Sequence, residues 1–177
     1  MSDDPKNTRV ISELPVDELI TYGQELGLRL DRRMGRGEVL VTPLEMALAT
    51  ATLAHGGQRP RPRLVLAVGE GVGSGDGATP GASERVLSER TARWVSQVLA
   101  EAHQVGRPGT SLAGWAASAE SGRPGAPPHA WYIGYAPLDA PRYAVAVIVE
   151  YGRDGWGVAA PIGVELLEQT LRVSENP

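Results

Sequence analysis

Cysteine is absent from the 177 residues, which excludes a disulfide framework, a thiolate metal site and a cysteine nucleophile. Phenylalanine is absent too, so any aromatic core must be built from the 4 Trp and 5 Tyr. Lysine is nearly absent: of the 17 basic residues only Lys6 is a lysine, which rules out lysine chemistry beyond the polar N-terminal stretch. The 3 histidines, His55, His103 and His129, are scattered and offer no HxxxH spacing, so no metal site is expected. The glycines of Gly69 to Gly81 do not fall in GxGxxG register and no lysine follows them, so they read as a connector and no cofactor is expected.

Long apolar runs are missing as well. The longest, around Tyr143 to Val149, falls far short of the ~20 residues of a membrane helix, so no membrane insertion is expected. The acidic start, Met1 to Lys6, has no apolar stretch behind it. It reads as neither signal nor anchor, so the sequence as written implies a cytoplasmic location, or an extracytoplasmic one if it is a trimmed piece of a longer chain. A net charge of -4 disfavours nucleic acid as a partner, because phosphate affinity needs clustered positive charge. The two arginine groups, Arg29-Arg32-Arg33-Arg36 and Arg59-Arg61-Arg63, lack neighbouring aromatics and read as solvated loop charges.

What is present fits one ordered domain. Hydrophobic residues reach 42% and charged residues 21%, and glycine plus proline stay below the ~25–30% that marks disorder. Leu14 to Leu28, with Leu19, Ile20, Tyr22 and Leu26, has a weak helical pattern. Thr42, Pro43 and Glu45 form a capping signature for a helix to His55 with Leu44, Ala47, Leu48 and Ala51 inward, stopped by Gly56-Gly57. Arg63 to Val68 reads as a strand. Ser88 caps a second helix, ending near Gly106, whose stripe of Thr91, Trp94, Val95, Val98, Leu99 and Ala102 is expected in the core.

Thr110 to Ala119, Ala130 to Ala136 and Tyr143 to Tyr151 read as strands, separated by the Gly122 to Pro128 loop and the Pro137 to Pro141 turn. The last strand is apolar on both faces and is expected at the centre of the sheet, between helical layers. Ala160-Pro161 opens a final helix with Ile162, Leu166, Leu167 and Leu171 inward, leaving Glu165 and Glu168 solvated. A triad from His103, Asp139 and a serine is nominal, because Gly-x-Ser-x-Gly is absent.

Val41-Thr-Pro-Leu-Glu-Met-Ala, His129-Ala-Trp-Tyr-Ile-Gly-Tyr-Ala-Pro137 and Tyr143-Ala-Val-Ala-Val-Ile-Val-Glu150, followed by Ala160-Pro-Ile, resemble the C-terminal part of the transpeptidase domain of actinobacterial-like class B penicillin-binding proteins. The resemblance covers roughly Gly37 to Leu171. It implies an α+β fold of α-β-α layers with a mostly antiparallel sheet, in which the strand before His129 carries the family's KTG motif. Residues 1–36 are then a polar tail with a short helical segment, 37–173 a partial transpeptidase-like domain and 174–177 a tail.

The sequence departs from the family at its chemistry. The SxxK and SxN motifs, expected upstream of the Thr-Pro-Leu helix, are missing, and Ser-x-x-Lys cannot be formed with Lys6. Trp115-Ala116-Ala117-Ser118 stands where Lys-Thr-Gly-Thr is expected, flanked by Ala113-Gly114 and Ala119-Glu120. A competing register places the motif at Arg107-Pro108-Gly109-Thr110, but the flanks and the Gly/Pro loop that follows favour the first. In that register Trp115 removes the cation, Ala116 removes a hydroxyl, and Ala117 puts a Cβ where close approach wants glycine. Ser118 keeps a hydroxyl and an N–H able to form half of an oxyanion hole.

Ser118, His129 and Trp131 are therefore the candidate ligand-site residues, with no catalytic residue assigned. For His129 and Trp131, which belong to the strand motif, packing is the favoured reading. The resemblance implies a non-catalytic binding or interaction module, or half of a split D,D-transpeptidase completed by a partner chain. A regulatory small-molecule-binding domain unrelated to peptidoglycan is the third reading. A protein partner or self-association is expected to cover the face of the absent subdomain, with Leu14 to Leu28 as the local candidate for that cover.

Overall fold

The computed structural model describes residues 41–62, 83–106 and 108–175. The expected helix at Leu14 to Leu28, the strand at Arg63 to Val68 and the connector at Gly69 to Gly81 lie outside them.

The first helix, α1 (Pro43–Ala54), starts as its sequence dictates. Glu45 N–H donates to Thr42 Oγ1 at 3.2 Å, and Thr42 N–H donates to Glu45 Oε2 at 2.7 Å. Gly56 and Gly57, at φ of 63° and 87°, end it with left-handed backbone. The face it buries differs from expectation. Ala49, Thr50 and Thr52 are inward, and Leu44 is 59% exposed. The threonines can be buried because their hydroxyls donate to Met46 O and Leu48 O, each at 2.7 Å, leaving no unsatisfied polar group.

Beyond Gly57 a short antiparallel ladder joins β1 (Gln58–Arg59) to β2 (Glu84–Arg85). The second long helix, α2 (Glu89–Gly106), is capped by Ser88, whose Oγ accepts from Thr91 N–H at 3.0 Å. It buries Ala92, Leu99 and His103. Trp94 and Val98, expected in the core, instead face solvent at 52% and 39% exposure. The apolar residues of α2 fill two sectors of the helix, so the sequence alone admits two phases, and packing against α1 and the sheet selects the one through Leu99.

Three antiparallel strands form the main sheet in the order β3 (Ala113–Ala119), β4 (His129–Ala136), β5 (Tyr143–Val149). Among the described residues β4 pairs along both of its edges, with β3 and with β5. The two-sided covering expected of β5 is present. Tyr143, Val145, Val147 and Val149 pack toward the final helix, and Ala144 packs with Leu53, Ala54, Val95 and Leu99 of α1 and α2.

A five-residue π-helical turn (Gly155–Ala159) feeds α3 (Ala160–Glu175). Ala160, Val164 and Leu167 are buried and Leu171 packs beside them, whereas Ile162 and Leu166 are about half exposed, against expectation. The phase is set by Gly163, which lies against the ring of Tyr132. A Cβ at Gly163 would stand 2.2 Å from Tyr132 Cδ1. Tyr132 and Tyr135, at 0% and 2% exposure, supply the buried aromatic volume in place of phenylalanine.

Because the Tyr132 ring is enclosed, Gly163→Ala is expected to cost about 1–3 kcal/mol through overpacking. Urea unfolding would show a lowered midpoint at unchanged slope; an unaltered midpoint would mean that the ring has room to move.

Candidate functional site

The stretch under the expected third motif lies on β3, the strand preceding His129. The competing stretch does not: Pro108 and Gly109 form a turn and Thr110 precedes the strand. Alternation along β3 sends Ala116 into the core at 4% exposure, beside Tyr132, while Trp115 and Ala117 face the other way. Across the strand pair, Trp115 stands opposite Ile133, Ala117 opposite Trp131 and Ala119 opposite His129.

The residues expected to face a ligand are engaged with the protein. Ser118 Oγ donates to Arg153 O at 2.6 Å, and Arg153 sits at φ of 70°, a left-handed conformation unusual for a side chain of its size. His129 Nδ1 accepts the N–H of Tyr151 at 3.0 Å, and the two rings lie 5.0 Å apart, tilted by 50°. Tyr151 is also left-handed, with φ of 56°. Ser118 and His129 thus brace the same connection between β5 and the π-helical turn and do not bond one another. Trp131 is half-buried on β4.

That connection also closes over β3. A Cβ on Gly155 would fall 2.5 Å from both N and O of Ala117, so only glycine permits this approach. The next residue, Trp156, places its indole edge-on to Trp115, with centroids 6.4 Å apart at 72°. It also packs over Gly106 at the end of α2, where a Cβ would meet its ring at 2.4 Å. Asp154 fixes the entry by accepting Trp156 N–H at 3.0 Å. Trp156 went unassigned in the sequence; the only signal was a lone tryptophan between Gly155 and Gly157.

His103 is likewise more central than its sequence position suggests. It is fully buried, bonds Thr110 Oγ1 through Nε2 at 2.9 Å and lies 3.4 Å through Nδ1 from the Tyr132 hydroxyl. Asp139 lies exposed in the turn after β4, so the nominal triad is not assembled. Beside Trp156 a shallow cavity of about 400 Å³ runs between Pro108, Thr110 and Pro161, with Glu165 and Glu168 at its rim. Both glutamates are partly exposed and lie 3.5 and 3.9 Å from Arg172. Among the described residues no group of His, Asp and Glu could hold a metal ion, and no helix is long and apolar enough to cross a membrane.

Helices covering both faces of an antiparallel sheet, with β3 as the strand that precedes His129-Ala-Trp, define a domain of the transpeptidase class. Residues 26–168 match the penicillin binding protein transpeptidase domain family, and the chain belongs to it. It is 36% identical over 152 residues to the peptidoglycan D,D-transpeptidase PbpA of Mycobacterium tuberculosis, a match covering 78% of this chain and 31% of that protein. With the protein of the same name from Mycolicibacterium smegmatis the identity is 34% over 152 residues. The crystal structure of M. tuberculosis PBPA superposes with a TM-score of 0.72 at 31% identity, covering 88% of this chain and 44% of that one. Its penicillin G acyl-enzyme complex gives 0.73 at 32% identity. The chain thus spans about a third of the length of the curated relatives it matches.

The two indoles are expected to be energetically coupled. Trp156→Ala should cost about 2–3 kcal/mol and Trp115→Ala about 1 kcal/mol, with a coupling of about 0.5–1.5 kcal/mol in the double-mutant cycle. Strict additivity of the two losses in urea titrations would show that the rings pass without interacting.

Proposed function

We propose that this chain is a non-catalytic member of the transpeptidase family, a binding or interaction module in the setting of peptidoglycan that does not itself transfer an acyl group. The observation that carries this reading is the composition of β3. At the positions matching Lys-Thr-Gly it bears an indole and two methyl groups, with neither the cation nor the hydroxyl that would hold a substrate carboxylate. These positions lie well inside the chain and are independent of whatever precedes it. The one hydroxyl left, that of Ser118, is spent on Arg153 O.

Acyl transfer also needs an activated nucleophile, and no serine in these 177 residues stands three positions before a lysine. The relatives are named as peptidoglycan D,D-transpeptidases, and one of them is solved as an acyl-enzyme with penicillin G. That kinship supports peptidoglycan, or a protein that handles it, as the class of partner for this chain.

Intact-mass spectrometry after incubation with penicillin G tests the proposal. The expected spectrum is unmodified protein, and the variant Trp115→Lys/Ala116→Thr/Ala117→Gly should stay unmodified too, because the strand motif without a nucleophile stabilises nothing. A one-to-one mass increase on the unaltered chain would overturn the non-catalytic assignment.

A further inference from the structure

Where the end of α1 meets the start of β5, a cavity of about 240 Å³ opens to solvent. Its apolar lining includes Ala51 and Ala54 of α1 and Tyr143 and Ala144 of β5, and His55 and Arg142 supply its basic groups. Both basic residues leave anchored backbone. His55 N–H donates to Ala51 O, and Arg142 N–H donates to Ala136 O, each at 2.9 Å. The Arg142 guanidinium lies over the Tyr143 ring, 5.3 Å from its centroid, and donates to the Tyr143 hydroxyl at 3.4 Å. That contact uses one face and one N–H, and the rest of the donor fork is left over.

The charge at this cavity is not answered from within the protein. Arg93 is paired with Glu89, and Arg172 with Glu165 and Glu168, whereas Arg142 and His55 have no ion pair. The nearby acids do not fill the gap. Asp139, exposed in the turn before Arg142, forms no ion pair with it, Glu84 stands opposite Arg59 in the β1–β2 ladder, and Glu89 is held by Arg93.

We propose that the cavity binds a small organic carboxylate with a short apolar body, such as an acylated alanine presents. The planar fork of Arg142 can take both carboxylate oxygens side by side, and His55 can donate an N–H from the same cavity. The alanine methyls and the phenol ring then receive the alkyl part. At about 240 Å³ the space lies below the ~300–1,000 Å³ of sites for drug-sized ligands, so the occupant is small. Inorganic phosphate fits the surroundings less well. Phosphate is typically held by helix N-termini or nests of backbone N–H, and the helix end here is the C-terminus of α1, whose partial negative charge disfavours a dianion more than a monoanion. None of Trp115 to Ser118 lines this cavity, so the inference stands apart from the non-catalytic reading of β3.

An amide NMR titration of the full chain with N-acetylalanine tests the site. Saturable shifts are expected at residues 51–55 and 142–144, and N-acetylalaninamide, which lacks the charge, should bind at least tenfold more weakly. Arg142→Ala, at an exposed position, should weaken binding of the acid at least tenfold. Arg142→Lys, which keeps the charge without the fork, should still weaken it at least threefold. Ala51→Leu, which fills the cavity, should do the same while leaving β4 amides in place. Equal binding of acid and amide, or an unchanged affinity in Arg142→Ala, would overturn the proposal. So would sodium sulfate shifting the same amides at lower concentration than the acid, which would assign the cavity to an inorganic anion.

Discussion

The phenol of Tyr132 occupies a slot that four elements must leave open. A Cβ at Gly114 on β3 or Gly134 on β4 would stand 2.4 or 2.6 Å from its hydroxyl oxygen, and one at Gly163 on α3 would enter its ring. At its far end lies the buried His103 of α2, which bonds Thr110 at the entry to β3. One side chain thereby fixes the spacing of two strands, the phase of α3 and the seat of the last turn of α2. Interiors this closely packed resist change in either direction, since a void and an added methyl are both costly.

Much of the fold was legible because its signals are local. Thr42 with Glu45, and Ser88 as a cap, announce helix starts through hydrogen bonds made within one turn, and each forms as read. The alternating valines of β5 announce burial on both sides. What the sequence misplaced were choices between helix faces. Leu44, Trp94, Ile162 and Leu166 sit outside because their helices are phased by small or self-satisfied residues. Gly163 admits Tyr132, and Thr50 and Thr52 return their hydroxyls to their own helix. Hydropathy ranks such residues low, while shape places them inside.

The site divides in the same way. The stretch Trp115 to Ser118 is singled out by its flanking residues in sequence, and a strand, β3, runs through it. That Trp115 would meet Trp156 across some forty residues of chain, or that Ser118 would face Arg153, depends on contacts no local pattern encodes. Family kinship supplies the frame in which Trp115 to Ser118 have meaning, and the geometry shows what those side chains do within this chain: they hold the connection after β5 against the strand.

Two residues of that connection, Tyr151 and Arg153, adopt left-handed backbone that costs a side-chain-bearing residue about 1–2 kcal/mol. Each lies beside a bond from a candidate ligand residue: His129 takes the amide of the first, Ser118 supplies a proton to the carbonyl of the second. Strand polarity acts as a clasp on a bent segment. A substitution that removes the Ser118 hydroxyl or the His129 imidazole leaves the left-handed backbone of residues 151 and 153 without the bond that holds it, and glycine at either position would relieve the same cost without one.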